Sequence, residues 1–173
     1  EEPLKNSFII VLCENLSTII PTIVSRCQIW ELAGYPPHVL KILFPTTSDL
    51  CLHIATTPGQ VLLYSDKPLQ EMVNLADKLI EKIGVANFPN TLSLINKFEF
   101  NKNVSEKYDI KIFIKILLYC TNKKFVENNN PQYFYTYRLT SELNNMLKIR
   151  NVDIKKLFEN YLTRLRFLVR GED

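Results

Sequence analysis

Three consecutive residues, Ser25-Arg26-Cys27, are the first place in this chain where chemistry could be done. They follow Pro21-Thr22-Ile23-Val24 and precede Gln28. An arginine held rigidly at a subunit edge presents a planar fork that pairs bidentately with phosphate oxygens. The plain alternative is a surface arginine between a helix and a strand. Ser25 and Cys27 read as structural, locking the turn and packing inward. Glu14 and Asn15 close the preceding apolar run, and open α/β sheets meet their ligands at the carboxyl ends of strands; a solvated loop is the other reading. His38 and His53 have no His, Asp or Cys partner at metal-ligand spacing, so both read as structural or solvent-facing. Two isolated histidines support no nucleophilic triad. The carboxylate pairs Glu1-Glu2 and Glu172-Asp173 sit at the chain ends and read as solvated.

The elements around Arg26 must hold it in place. Phe8 to Cys13 is six apolar residues without a charge, which predicts a strand buried on both faces. Gln28 to Leu32 reads as a second strand, rich in β-formers, and a short connection containing Pro21 joins the two. Together they look like the tail of a β-α-β unit in an open α/β sheet.

Beyond Gly34-Tyr35-Pro36-Pro37 the pattern turns helical. The diproline suits a helix start, with Val39, Leu40 and Leu43 as a short stripe. Ser48 can cap a helix carrying Leu50, Cys51, Ile54 and Ala55. Thr57-Pro58-Gly59-Gln60 is a third start signal, with Thr57 at the N-cap and Gln60 at the capping-box position. From Lys67, the residues Leu69, Met72, Val73, Ala76, Leu79, Ile80 and Ile83 share one helical face, with Gly84 as C-cap. Residues 91–100 predict a weaker helix. Ile110, Ile112, Ile114 and Ile116 alternate as in a strand, but the length of the run favours a buried helix. After the loop Asn128-Asn129-Asn130-Pro131, Tyr135, Leu139, Leu143, Met146 and Leu147 form a further stripe. The last helix carries Ile154, Leu157, Phe158, Tyr161, Leu162, Leu165 and Leu168, capped by Asn151 or Asp153.

Composition bounds the class. The 173 residues suffice for one or two small domains, and 46 % hydrophobic residues allow a real core. A net charge of +3 is too small to argue nucleic-acid binding alone. Four scattered cysteines with no C-x-x-C pair argue against zinc and for buried free thiols in a reducing cytosol. No apolar run is long enough to span a membrane. No G-x-x-x-x-G-K-[ST] loop is present and glycines number only four, so nothing here cradles a triphosphate. Arg164, Arg166, Arg170, Lys155 and Lys156 bias the last helix towards positive charge, with contact to a DNA backbone as the less favoured reading. The aromatic group Tyr133-Phe134-Tyr135-Tyr137 reads as core or interface packing ahead of base stacking.

Glu1-Glu2-Pro3, the apolar run, and then Pro21-Thr22-Ile23-x-Ser25-Arg26-Cys27-Gln28 resemble the end of the AAA+ module in clamp-loader subunits, most closely the delta-prime type of bacterial DNA polymerase III. Asn151-Val152-Asp153 with Leu157 to Leu162 and Arg164-Leu165 is similar to that type's last collar helix; the middle of the chain matches only as a helical pattern. The resemblance implies a mainly α chain in three parts. Residues 1–33 would be the end of an AAA+ α/β module whose N-terminal ATPase portion is absent. Residues 34–67 would be a three-helix lid, and 68–173 an all-α collar that oligomerises.

It implies that Arg26 is an arginine finger acting in trans, supported by Ser25, Cys27, Pro21 and Thr22. It implies no cofactor bound by this chain, with the ATP of a neighbouring subunit contacted instead. The implied partners are tau/gamma-type ATPase and delta-type subunits, plus the sliding clamp and primed DNA through the assembly, in the cytoplasm and away from membranes. Two departures matter. ATP-binding members carry a nucleotide-sensing arginine where Gln60 and Val61 stand, and Glu14 falls at a polar sensor position where a carboxylate would repel a γ-phosphate. Both suit a non-hydrolysing stator rather than an enzyme. The alternatives are the motor ATPase subunit of the same loader and a helical interaction module unrelated to replication.

Overall fold

In the computed structural model, residues 7–13, 15–82, 95–99, 108–149 and 152–170 are described. Among them the chain is mainly helical. A short 3-10 turn at Leu16–Thr18 leads to α1 (Pro21–Val24), α2 (Pro37–Leu43), α3 (Asp49–Ile54), α4 (Pro58–Ser65) and α5 (Leu69–Lys82). Two minimal strands follow, β1 (Phe98–Glu99) and β2 (Tyr108–Asp109), paired in parallel with Phe98 opposite Tyr108. The chain then forms α6 (Ile110–Asn128), α7 (Pro131–Met146) and α8 (Ile154–Arg170).

The helix starts follow capping chemistry. Ser48 accepts from the Cys51 amide at the head of α3, and Thr57 accepts from the Gln60 amide at the head of α4, where Pro58 takes a first-turn position. Asp109 caps α6 by accepting from the amides of Lys111 (2.8 Å) and Ile112. Asn129 ends α6 with φ 47°, the left-handed backbone that Asn tolerates better than most residues. Asn130 then caps α7 ahead of Pro131. Asp153 accepts from the Lys156 amide at the head of α8; the other expected cap, Asn151, lies outside the described residues, as do Gly84 and Ile83.

One apolar core runs from Leu40 on α2 to Leu165 on α8. Its spine is α6. Ile110, Ile112, Phe113, Ile114, Ile116, Leu117, Cys120 and Thr121 are all buried, which places buried residues around most of the helix. That explains the strand-like alternation in the sequence: a helix covered by α3, α5 and α7 needs no polar stripe. Phe98, Phe113 and Phe158 pack as an aromatic knot, with centroids 4.5 and 5.5 Å from Phe98. Such pairs contribute roughly 0.5–1.5 kcal/mol beyond their buried area.

Three expectations are corrected. Phe8 to Cys13 forms no ladder and is exposed throughout, and Gln28 to Leu32 likewise forms no ladder and is exposed. A parallel strand needs neighbours on its edges, and among the described residues none is offered. The connection between those two runs includes a short helix, Pro21–Val24, with Pro21 fixing the helical φ at its start. Within 91–100, Ile95 is helical as expected but Phe98–Glu99 is a strand; residues 91–94 and 100 lie outside the described residues.

The α7 stripe is rotated from the expected one. Thr136, Leu139, Thr140 and Leu143 are buried, while Tyr135 and Met146 are outward. Threonines can take core positions because each returns its hydroxyl to the preceding turn: Thr136 donates to the Gln132 carbonyl and Thr140 to that of Thr136.

Candidate functional site

The turn bearing Arg26 is built by main-chain hydrogen bonds. The Ser25 amide donates to the Pro21 carbonyl (2.9 Å), Arg26 to Ile23 (3.0 Å) and Cys27 to Val24 (3.3 Å). The Ser25 hydroxyl donates to the Thr22 carbonyl at 3.1 Å. Pro21, Thr22, Ser25, Arg26 and Cys27 therefore belong to one local turn. α1 lasts a single turn, and its four carbonyls accept from these three amides and one hydroxyl. The Arg26 side chain is exposed, and among the described residues no carboxylate pairs with it. The arrangement presents a cation outward from a backbone fixed on its N-terminal side.

Cys27 does not pack inward as expected; its side chain is exposed, and so is Cys13. Only Cys51 and Cys120 are buried thiols among the four. Burial pushes Cys51 up, and burial together with the nearby Asp77 carboxylate pushes Cys120 up to about 11, so both are poor nucleophiles at neutral pH. Glu14 lies outside the described residues. Its neighbour Asn15 donates from Nδ2 to the Lys148 carbonyl at 2.5 Å, tying the first segment to the turn after α7.

The head of α4 holds a second polar group. The Gln60 Oε1 accepts from the Thr56 amide (3.0 Å) and the Thr56 hydroxyl (3.1 Å). It also accepts from Lys115 of α6 at 3.3 Å. Gln60 thus reaches back one residue further than a simple capping box would take it. Lys115 also donates to the Tyr64 hydroxyl at 3.0 Å. No sequence pattern singled out Lys115; it is one of two lysines, with Lys111, inside an isoleucine-rich run, and that was the available signal.

His53 is held by its own helix and a neighbour. Its Nδ1 lies 2.7 Å from the Asp49 carbonyl and its ring 5.4 Å from that of Tyr119. His38 is exposed. Among the described residues no group of His, Cys, Asp and Glu could hold a metal, and no helix is long and apolar enough to cross a membrane. On α8, Arg164 pairs with Glu142 of α7 at 3.2 Å and Lys156 lies 3.9 Å from Asp153. Arg164 thus ties α8 to α7, while Lys156 pairs with the cap of its own helix. Of the aromatic group, Phe134, Tyr135 and Tyr137 are exposed on α7, with Phe134 tilted against Phe125 at 5.6 Å.

A family model described as DNA polymerase III, delta subunit, matches residues 1–35. The match contains the whole Arg26 turn and stops before α2. Over this stretch the chain is similar to a DNA polymerase III subunit, which points towards DNA replication and clamp loading. No curated protein and no solved structure matches the chain.

Proposed function

We propose that this chain is part of a delta-prime-like clamp-loader subunit, a stator that does not hydrolyse ATP itself. Arg26 reaches the ATP held by a neighbouring tau/gamma-type subunit. There its guanidinium pairs with the γ-phosphate oxygens and offsets the charge that spreads over them as the bond to the leaving group lengthens. Ser25, Thr22 and Pro21 fix the backbone from which Arg26 projects, and Cys27 continues that turn.

The observation that carries this reading is the exposed Arg26, paired with no carboxylate among the described residues, on a hydrogen-bonded turn inside the matched stretch. The helices beyond it serve as the scaffold joining this subunit to its delta-type and tau/gamma-type neighbours, and the assembly meets the sliding clamp and primed DNA.

The test is the clamp- and DNA-stimulated ATPase of a loader reconstituted with this subunit, wild type against Arg26→Ala. Turnover at the neighbouring site falls on the order of 10³-fold while the assembly stays intact. Unchanged turnover in an intact assembly would leave Arg26 a surface residue.

A further inference from the structure

The three short helices α2, α3 and α4 meet the longer helices chiefly through α6. Apolar packing between α3 and α6 is part of the shared core. Lys115 adds something different: a half-buried ammonium inside an otherwise apolar run, directed at neutral oxygens on α4. Among the described residues no carboxylate pairs with it.

Removing a cation from water costs free energy, and an apolar residue of similar size often stabilises such a position as well or better. What an ammonium provides that a thioether cannot is direction. Its donors fix where the Tyr64 hydroxyl and the Gln60 carbonyl oxygen must be. The ammonium is 3.0 Å from the hydroxyl and 5.2 Å from the ring centroid, so the hydroxyl rather than the ring face is its principal partner. Gln60 passes the constraint on, because the same oxygen receives the amide and hydroxyl of Thr56. Thr56 in turn accepts the Tyr35 amide at 2.8 Å, and a β-carbon on Gly34 would come within 2.8 Å of the Thr56 Cβ.

We propose that Lys115 is a clasp. It holds the α2–α4 unit in one orientation on α6 by tying Gln60 and Tyr64, and through Thr56 it also seats the segment that enters α2. The clasp does not depend on what Arg26 meets.

Native thiols report on it. Cys51 lies in the α2–α4 unit, with its Sγ 3.7 Å from the Val61 carbonyl, and Cys120 lies in α6. Both are buried, so each reacts with an aromatic disulfide reagent only when its surroundings open. In a Cys13→Ser, Cys27→Ser background, Lys115→Met raises the labelling rate of Cys51 about tenfold and leaves Cys120 within about twofold of its starting rate. Gln60→Leu gives the same pattern, and combining it with Lys115→Met adds little, because both remove one shared interaction. Tyr64→Phe, which deletes only a hydroxyl, gives a smaller change of the same kind and serves if Lys115→Met does not fold. A Cys51 rate that stays the same in these variants, or Cys51 and Cys120 rates that rise together, would overturn the proposal.

Discussion

Tyr161 and Thr140 show how single buried groups set a pH limit on this fold. The two hydroxyls lie 2.9 Å apart in the core, and burial pushes the Tyr161 phenol up, offset only in part by Thr140. Cys120 behaves alike: an unfolded thiol ionises near 9.0, whereas the folded one keeps its proton to about 11. Between those values the unfolded chain has lost a proton that the folded chain retains. Stability is therefore fully present below pH 9 and falls as pH rises towards 11. Thermal melts across that range give a declining Tm. Cys120→Ala removes part of the slope and Tyr161→Phe another part, and a slope that survives both substitutions would count against these groups as its source. Neither contribution was legible in the sequence. Tyr161 could be placed on a core stripe, but its partner sits on α7, and threonine is not a residue that a hydrophobic pattern selects. Arg26 differs. Its turn was readable because every hydrogen bond that builds it spans three or four residues.

Among the elements, α6 and α7 depend on the corner between them. Asn129 takes a left-handed conformation there, with its amide donating to the Phe125 carbonyl at 2.8 Å. A β-carbon with no side-chain amide is penalised in that region by about 1 kcal/mol. Asn129→Ala should lower stability by that order in chemical denaturation, and Asn129→Gly should leave it nearly unchanged; equal effects from the two would mean that the backbone angle is not what matters. The Asn-Asn-Asn-Pro run announced this corner, as Ser48 and Thr57 announced α3 and α4, because caps and turns are local. The runs 8–13 and 28–32 misled for the opposite reason. Their composition records a preference for a sheet, but a ladder needs edges supplied from elsewhere. The rotation of α7 escaped because the sequence stripe counts Tyr135 and Met146 as apolar and Thr136 and Thr140 as polar, and packing reverses all four assignments.

On the scale of the whole molecule, buried residues on both sides of position 67 belong to one cluster. Leu40, Leu52, Ile54, Val61 and Tyr64 lie before it and Met72, Phe113 and Phe158 after it, in the same cluster. The described residues among 7–32 contribute no side chain to that cluster. A chain starting at Gly34 should therefore melt cooperatively at nearly the Tm of the full chain. One starting at Lys67 should melt lower, since deleting buried Leu or Ile side chains costs about 2–5 kcal/mol each. Circular dichroism melts of the two truncations decide this. Equal Tm values would mean that the helices after residue 67 carry the stability alone. In the sequence, residues 34–67 and 68–173 were set apart only because Pro and Thr start signals divide short helices from long ones. Nothing in a linear pattern reveals that α6 would serve both.

The exposed run Phe8 to Leu12 has a consequence for the bench. Five β-prone apolar residues, from Phe8 at 95 % exposure to Leu12 at 86 %, contain no proline and no charge to act as a gatekeeper. Windows of this kind template cross-β stacking between copies. A net charge of +3 is dispersed over a helical body and offers such a segment little protection. Concentration, salt and storage time will therefore set the colloidal fate of this chain through a handful of residues at one edge, while its well-packed helices remain folded.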